Sequence, residues 1–183
     1  MQPFCLSCGV LYRYISEDAI LNGNKAGKLT PDELVEKYSA MIYRLAYTRL
    51  QSIQDAEDIT QEVLIKYIRA DKSYNDEEHR KMWLIRVTLN AVKSLVSSAW
   101  RRHTVPLDDA GEIPYAEKES TDIGEAVKKL PEKYRIPIHL FYYEGFSVKE
   151  IAKVSSMAEG TVKSLLSRGR EKLRSMIKEE DYV

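Results

Sequence analysis

The stretch from Gly145 to Leu173, GFSVKEIAKVSSMAEGTVKSLLSRGREKL, decides the fold. Ser147 and Glu150 stand in S-x-x-E spacing, a capping box that satisfies the first free amides of a helix. Ile151, Ala152 and Val154 give that short helix an apolar side. Ser155, Ser156, Met157 and Ala158 interrupt it. A longer helix then repeats apolar residues at Val162, Leu165, Leu166, Gly169, Leu173 and Ile177, which is helical spacing. Its other face carries Thr161, Lys163, Ser164, Ser167, Arg168, Arg170 and Arg174, and from Thr161 to Arg174 there are five basic residues against one acid. Two helices across a tight turn, the second basic and hydroxyl-bearing toward its start, form the layout of a DNA-reading helix-turn-helix. Taken alone, the same stretch also suits an ordinary amphipathic hairpin with a solvated charged face.

Upstream, the pattern is helical throughout. Thr30-Pro31-Asp32-Glu33 is a helix start, with a capping hydroxyl, proline at the first position and acids in the first turn. This helix is predicted to run to about Leu50, with Leu34, Tyr38, Ile42, Leu45 and Ala46 inward. A second begins near Asp55 with Ile59, Val63 and Tyr67 as its stripe and Asp55, Asp58, Gln61 and Glu62 largely off it; acids in a first turn also suit the helix dipole without any partner. Asp71 to Lys81 reads as a polar loop. A third helix begins at Met82 with Leu84, Val87, Ala91 and Leu95 inward and Arg86, Asn90, Lys93 and Ser94 outward. It ends at Trp100-Arg101-Arg102-His103, where arginines beside an aromatic suit a nucleic-acid surface or, alternatively, a buried Trp at a basic helix end. Thr104 to Thr121 is acidic, contains Pro106, Gly111 and Pro114, and has no period, so it is predicted to be a linker. The second domain starts near Asp122. Pro131 can open its next helix, Pro137 is expected to kink that helix or displace its start, and Ile136, Ile138, Leu140, Phe141 and Tyr142 are expected to supply core.

The totals narrow the function. With 183 residues, 44% hydrophobic and 31% charged, the chain has room for one medium or two small soluble domains. Net charge is zero, but the sum hides opposed blocks: Gln54 to Glu62 holds four acids and no base, and Leu107 to Glu125 seven acids and one lysine. Such segregation suggests one surface for nucleic acid and another for a basic or mixed protein partner. No apolar run reaches the ~18 residues of a membrane span and no export signal is evident, so no membrane insertion and a cytoplasmic setting are expected. Cys5 and Cys8 form a C-x-x-C that could be a redox pair or half a zinc site, or part of an incidental leader. His79, His103 and His139 are scattered, and no metal-ligand spacing, phosphate loop or activated nucleophile appears. An enzyme, a cofactor and a metal are not expected.

Five motifs occur in order: DAEDITQEV from Asp55 to Val63, WLIRVTLN from Trp83 to Asn90, LPEKYR from Leu130 to Arg135, YYEGFSVKEIA from Tyr142 to Ala152, and EGTVKS from Glu159 to Ser164. In this order the chain resembles the extracytoplasmic-function (ECF) subgroup of bacterial RNA polymerase sigma factors, over about Asp32 to Ile177. The resemblance implies an all-α chain: two small helical domains joined by a flexible acidic linker, the C-terminal one a helix-turn-helix. Residues 1–29 would be a leader of unknown role, 30–103 a region binding core polymerase and the minus-ten element, 104–121 the linker, and 122–183 a region binding the minus-thirty-five element. It assigns Asp55, Asp58, Gln61 and Glu62 to core RNA polymerase. It assigns Tyr74, Asn75, Arg80, Trp83, Arg86, Asn90, Lys93, Arg101 and Arg102 to a melted minus-ten element, with Trp83 alternatively pure core. Thr161, Lys163, Ser164, Ser167, Arg168 and Arg170 are assigned to minus-thirty-five duplex. Core polymerase, promoter DNA and an inhibitory anti-sigma factor are the implied partners.

The chain departs from the family pattern at Ser156 in place of the usual turn glycine, at Ala158 in place of a capping hydroxyl, at Ser155 in place of leucine, at Ser94 in place of an acid, and at Gly169, which is expected to weaken the recognition helix. The competing expectation is a stand-alone helix-turn-helix regulator that binds duplex DNA without polymerase, with Asp55 to Glu62 as solvated surface.

Overall fold

A computed structural model describes residues 29–70, 74–102 and 122–180. Among these the chain forms α1 (Pro31–Leu50), α2 (Ile53–Arg69), α3 (Glu77–Arg102), α4 (Asp122–Lys129), α5 (Glu132–Tyr142), α6 (Val148–Ser155) and α7 (Glu159–Glu180). The expected leader with Cys5 and Cys8, His103 and the expected 104–121 linker lie outside the described residues.

Local chemistry sets most of the boundaries. Thr30 Oγ1 accepts from the Glu33 amide and the Glu33 carboxylate accepts from the Thr30 amide at 2.8 Å, so both ends of the capping box close. Helix α1 ends where Gln51 turns left-handed at φ 54° and its amide bonds back to the Tyr47 carbonyl at 2.8 Å. Ser52 then caps α2 by accepting from the Asp55 amide at 3.3 Å. The expected polar loop up to Lys81 is shorter than its composition suggested. Asp76 Oδ1 accepts from the His79 amide at 2.7 Å and the Asp76 carbonyl from Arg80, so the charged run EEHRK is already the first turn of α3. Leu34, Ile42, Leu45 and Ala46 of α1, Ala56, Ile59, Val63 and Leu64 of α2, and Leu84 and Ile85 of α3 are buried, as three antiparallel-style apolar faces require.

In the C-terminal cluster α5 starts at Glu132 and runs through Pro137 rather than restarting at it. The proline withholds one backbone donor but is itself buried, so its ring serves as core. Ile136, Ile138 and Leu140 are buried as expected, whereas Tyr142 stands 53% exposed and is not core. Ser147 and Glu150 make the capping box of α6, the Glu150 carboxylate accepting from the Ser147 amide at 2.7 Å. Ser156 adopts the left-handed conformation at φ 54° that glycine holds without strain, so the turn keeps the geometry and serine bears the cost. The Met157 amide closes the turn onto the Ala152 carbonyl at 3.0 Å.

Gly169 is buried, and a Cβ there would lie 3.1 and 3.3 Å from Ile138 Cγ1 and Cδ1 and 3.4 Å from Tyr134 Cβ. The expected weak point is therefore a close approach of α7 to α5.

The two clusters meet along a seam, α1 against α5 and α3 against α6. Gln51 Nε2 donates to the Lys128 carbonyl at 2.7 Å, Arg135 Nη1 to the Thr48 carbonyl at 3.1 Å, and Arg49 pairs with Glu132. On the α3 side Lys81 pairs with Glu144 at 2.9 Å and Arg86 Nη2 donates to the Lys153 carbonyl at 2.8 Å.

Candidate nucleic-acid interface

The acidic face of α2 is built by subtraction: Ala56, Ile59, Thr60, Val63, Leu64 and Tyr67 turn inward, which leaves Asp58 and Glu62 exposed one turn apart, with Asp55 and Gln61 half-buried beside them. Asp58, Gln61 and Glu62 form one wall of an open groove completed by Ile65, Lys66, Arg69 and Ala70. Glu62 is ion-paired with Lys66 one turn on, so its charge is partly answered within the helix.

The residues assigned to the minus-ten element divide into two groups. Arg86, Asn90 and Lys93 are exposed and repeat at helical spacing, which makes one polar stripe along α3, and Asn75 is exposed just before that helix. Tyr74 and Arg80 are not on this surface: they are 8% and 7% exposed, and Trp83 is half-buried with them. The Tyr74 ring stacks on Tyr67 with centroids 5.4 Å apart, Trp83 meets both edge-on, and the Arg80 guanidinium lies 5.6 Å from the Tyr74 centroid. Arg80 also bonds Glu77 Oε2 at 2.7 Å, and Glu77 accepts from the Tyr38 hydroxyl and pairs with Lys37 at 2.9 Å. Burial pushes the Tyr74 hydroxyl up to about 12, with the neighbouring Tyr67 adding to it. Burial opposes the Glu77 carboxylate, but Lys37 and Tyr38 hold it below the usual range. In this conformation Tyr74, Arg80 and Trp83 therefore anchor the start of α3 and set where Asn75 sits. Tyr74 and Arg80, expected at the DNA surface, are buried in this conformation. Arg101 and Arg102 close α3, and their side chains fall outside the described ones.

On α7, Thr161, Lys163, Ser164, Ser167, Arg168 and Arg170 are all exposed while Val162, Leu166 and Gly169 are buried. The Ser164 hydroxyl donates to the Thr161 carbonyl at 2.8 Å, which leaves its lone pairs outward. A basic, hydroxyl-bearing face on the second helix of the pair can meet phosphates and base edges.

Sequence reasoning missed the seam. Glu144 and His139 are buried in it, with His139 Nε2 3.7 Å from the Glu144 carboxylate and His139 Nδ1 3.3 Å from Thr48 Oγ1. Burial would raise the Glu144 carboxyl, but His139 and the paired Lys81 beside it hold it down at about 2. Glu78 and Glu150 also meet there, and the hydrogen bond with Glu150, then its charge, lifts the Glu78 carboxyl above its usual range. Nothing in the spacing marks the partners across the seam, because they are contributed by segments 63 to 91 positions apart. Among the described residues no group of three or more His, Cys, Asp or Glu is placed to hold a metal, and no helix is long and apolar enough to cross a membrane.

Comparison with known proteins gives these surfaces a context. Residues 34–102 match the family model for Sigma-70 region 2 and residues 120–173 that for Sigma-70, region 4. The chain is 31% identical over 166 residues to the ECF RNA polymerase sigma factor SigE of Mycolicibacterium smegmatis, covering 85% of this chain and 64% of that protein. It is 30% identical over 158 residues to the RNA polymerase sigma-H factor of Pseudomonas aeruginosa, covering 76% of this chain and 82% of that one. Among solved structures, the sigma factor RpoE in complex with the anti-sigma factor NepR from Bartonella quintana superposes with a TM-score of 0.67 at 23% identity, covering 80% of this chain and 96% of that chain.

Proposed function

The chain belongs to the ECF subgroup of bacterial RNA polymerase sigma factors, and from that premise we propose that it binds core RNA polymerase, directs it to specific promoters and melts the minus-ten element there. Such a role is one of binding and strand separation rather than catalysis. Residues 30–103 act as the polymerase- and minus-ten-binding domain and 122–183 as the minus-thirty-five-binding domain, with 104–121 connecting them. The observation that carries this reading is the division of opposite charge between two separate exposed faces: Asp58 and Glu62 on α2, and Lys163, Arg168 and Arg170 on α7.

The α2 face suits the basic surface of a protein partner, because complementary charge speeds encounter and fixes register. The α7 face suits the major groove. Asn75, Arg86, Asn90 and Lys93 hold the separated strand, and the Tyr74–Arg80–Trp83 cluster positions them. An anti-sigma factor is the expected third partner, by analogy with the relative solved bound to NepR.

Charge reversal tests the reading. The double change Asp58→Lys and Glu62→Lys is expected to lower affinity for core polymerase at least tenfold and leave duplex DNA binding unchanged. Unchanged polymerase binding would instead fit a stand-alone regulator, for which this face has no role.

A further inference from the structure

We propose that Glu77 is a positioning residue for capture of the minus-ten strand: it ties Arg80 to α1 and so fixes the 74–76 segment that presents Asn75. The proposal rests on the function argued above and gives a part in it to a residue outside the strand-binding stripe. Three donors from two helices converge on this one carboxylate. The Tyr38 hydroxyl of α1 donates to Oε1, Lys37 of α1 pairs with the same oxygen at 2.9 Å, and Arg80 Nη1 of α3 donates to Oε2 at 2.7 Å.

From Glu77 the contacts continue into the segment. Arg80 is buried, and a guanidinium so placed is costly unless opposite charge answers it; Glu77 supplies such charge. Held there, Arg80 lies against the Tyr74 ring, which also stacks on Tyr67 of α2. Tyr74 immediately precedes Asn75, and Asp76 immediately follows it and caps α3 through the His79 amide. Asn75 is thus exposed between two fixed neighbours. A side chain presented in this way needs less ordering when it meets a strand.

A carboxylate in the first turn of a helix also favours the helix dipole without any partner. A carboxylate turned to solvent would serve that role equally well. Glu77 instead reaches across to a hydroxyl 39 positions away, on a tyrosine that is only 3% exposed. The two roles make different demands on Asn75. Dipole stabilisation acts on the whole helix and leaves the contribution of Asn75 intact. Positioning acts through Asn75 and vanishes once that side chain is gone.

The test uses the full chain assembled with core polymerase and carrying Glu77→Gln, Asn75→Ala or both; glutamine keeps the shape and removes the charge. The probe is a promoter fragment taken from mapped transcript starts, with its minus-ten element left unpaired. Asn75→Ala is expected to weaken binding of this fragment about tenfold and Glu77→Gln about fivefold, with the double variant within about twofold of Asn75→Ala alone. Glu77→Gln is expected to leave affinity for core polymerase and for fully duplex minus-thirty-five DNA within about twofold. Tyr38→Phe deletes one hydroxyl, makes a second cut in the same linkage and is expected to lose about twofold. In the free proteins, hydrogen exchange at the His79 and Arg80 amides, both bonded to Asp76, should be faster in Glu77→Gln than in the parent. Unchanged fragment binding in Glu77→Gln and Tyr38→Phe overturns the proposal. A double variant weakened about fiftyfold, the product of the single losses, overturns action through Asn75. Absence of such starts, or of fragment binding by the parent, counts against the function argued above; unchanged exchange in Glu77→Gln then separately overturns the clamp, and faster exchange upholds it.

Discussion

Gly169 offers a test in which sequence and structure predict opposite signs. Inside a 22-residue helix, Gly169→Ala by propensity alone should stabilise the chain by about 1 kcal/mol. The structure places the new Cβ 3.1 Å from Ile138 Cγ1 and 3.3 Å from Ile138 Cδ1. Carbon pairs attract from about 3.5 Å outward, so α7 or Ile138 must yield by roughly 0.4 Å. Ile138 is 1% exposed and Tyr134 Cβ closes the other side at 3.4 Å, which leaves little room to yield. Overpacking of this kind costs about 1–3 kcal/mol, which offsets the propensity gain and leaves a net loss of about 1 kcal/mol.

Removing the obstacle should reverse the sign. In an Ile138→Ala background, itself destabilised by about 2–5 kcal/mol, Gly169→Ala should gain about 1 kcal/mol. The two positions are thus expected to couple by about 2 kcal/mol. Urea unfolding of the four proteins, followed by circular dichroism, measures this directly. Stabilisation by Gly169→Ala in the parent, with no coupling to Ile138, would refute the close-approach argument and return Gly169 to a simple weak point in the recognition helix.

Other consequences can be checked separately. Ser155 Oγ is buried without a hydrogen-bond partner, so Ser155→Ala should raise unfolding free energy by about 1 kcal/mol in a urea titration. Glu144 sits at about 2 in the folded chain against an ordinary 4.5. Its depressed value means that it stabilises the fold above pH 4.5 and that this contribution is lost as pH falls toward 2; Lys81→Met should move the acid loss to higher pH in a pH series of thermal melts. Arg168→Ala, on the exposed face of α7, should weaken duplex binding across sequences and reduce the slope of log affinity against log salt by about 0.9 if it meets one phosphate. An unchanged slope would remove Arg168 from the DNA surface.

The elements that sequence made legible are those whose signal is local. Capping boxes at Thr30–Glu33 and Ser147–Glu150 complete themselves within four residues, and the apolar periods of α2 and α7 name their buried sides. The start of α3 was harder to read because a charged run hides an Asp76 cap that is evident only from its bonds to His79 and Arg80. Tyr74 and Arg80 look like strand-binding residues by type, and their burial in this conformation depends on Tyr67, which another helix supplies. Tyr142 is the reverse case, an aromatic of core type that faces solvent. Lys81 could not have been joined to Glu144 from sequence at all, since that pairing depends on how two domains dock.

The central claim is that this chain gives core polymerase a promoter. Transcript starts on fragmented genomic DNA, mapped with core polymerase in the presence and absence of the protein, test it most directly. The account predicts new starts that appear only with the protein and share two upstream elements, one near minus ten and one near minus thirty-five. No new starts, with duplex binding retained in the absence of polymerase, would contradict it.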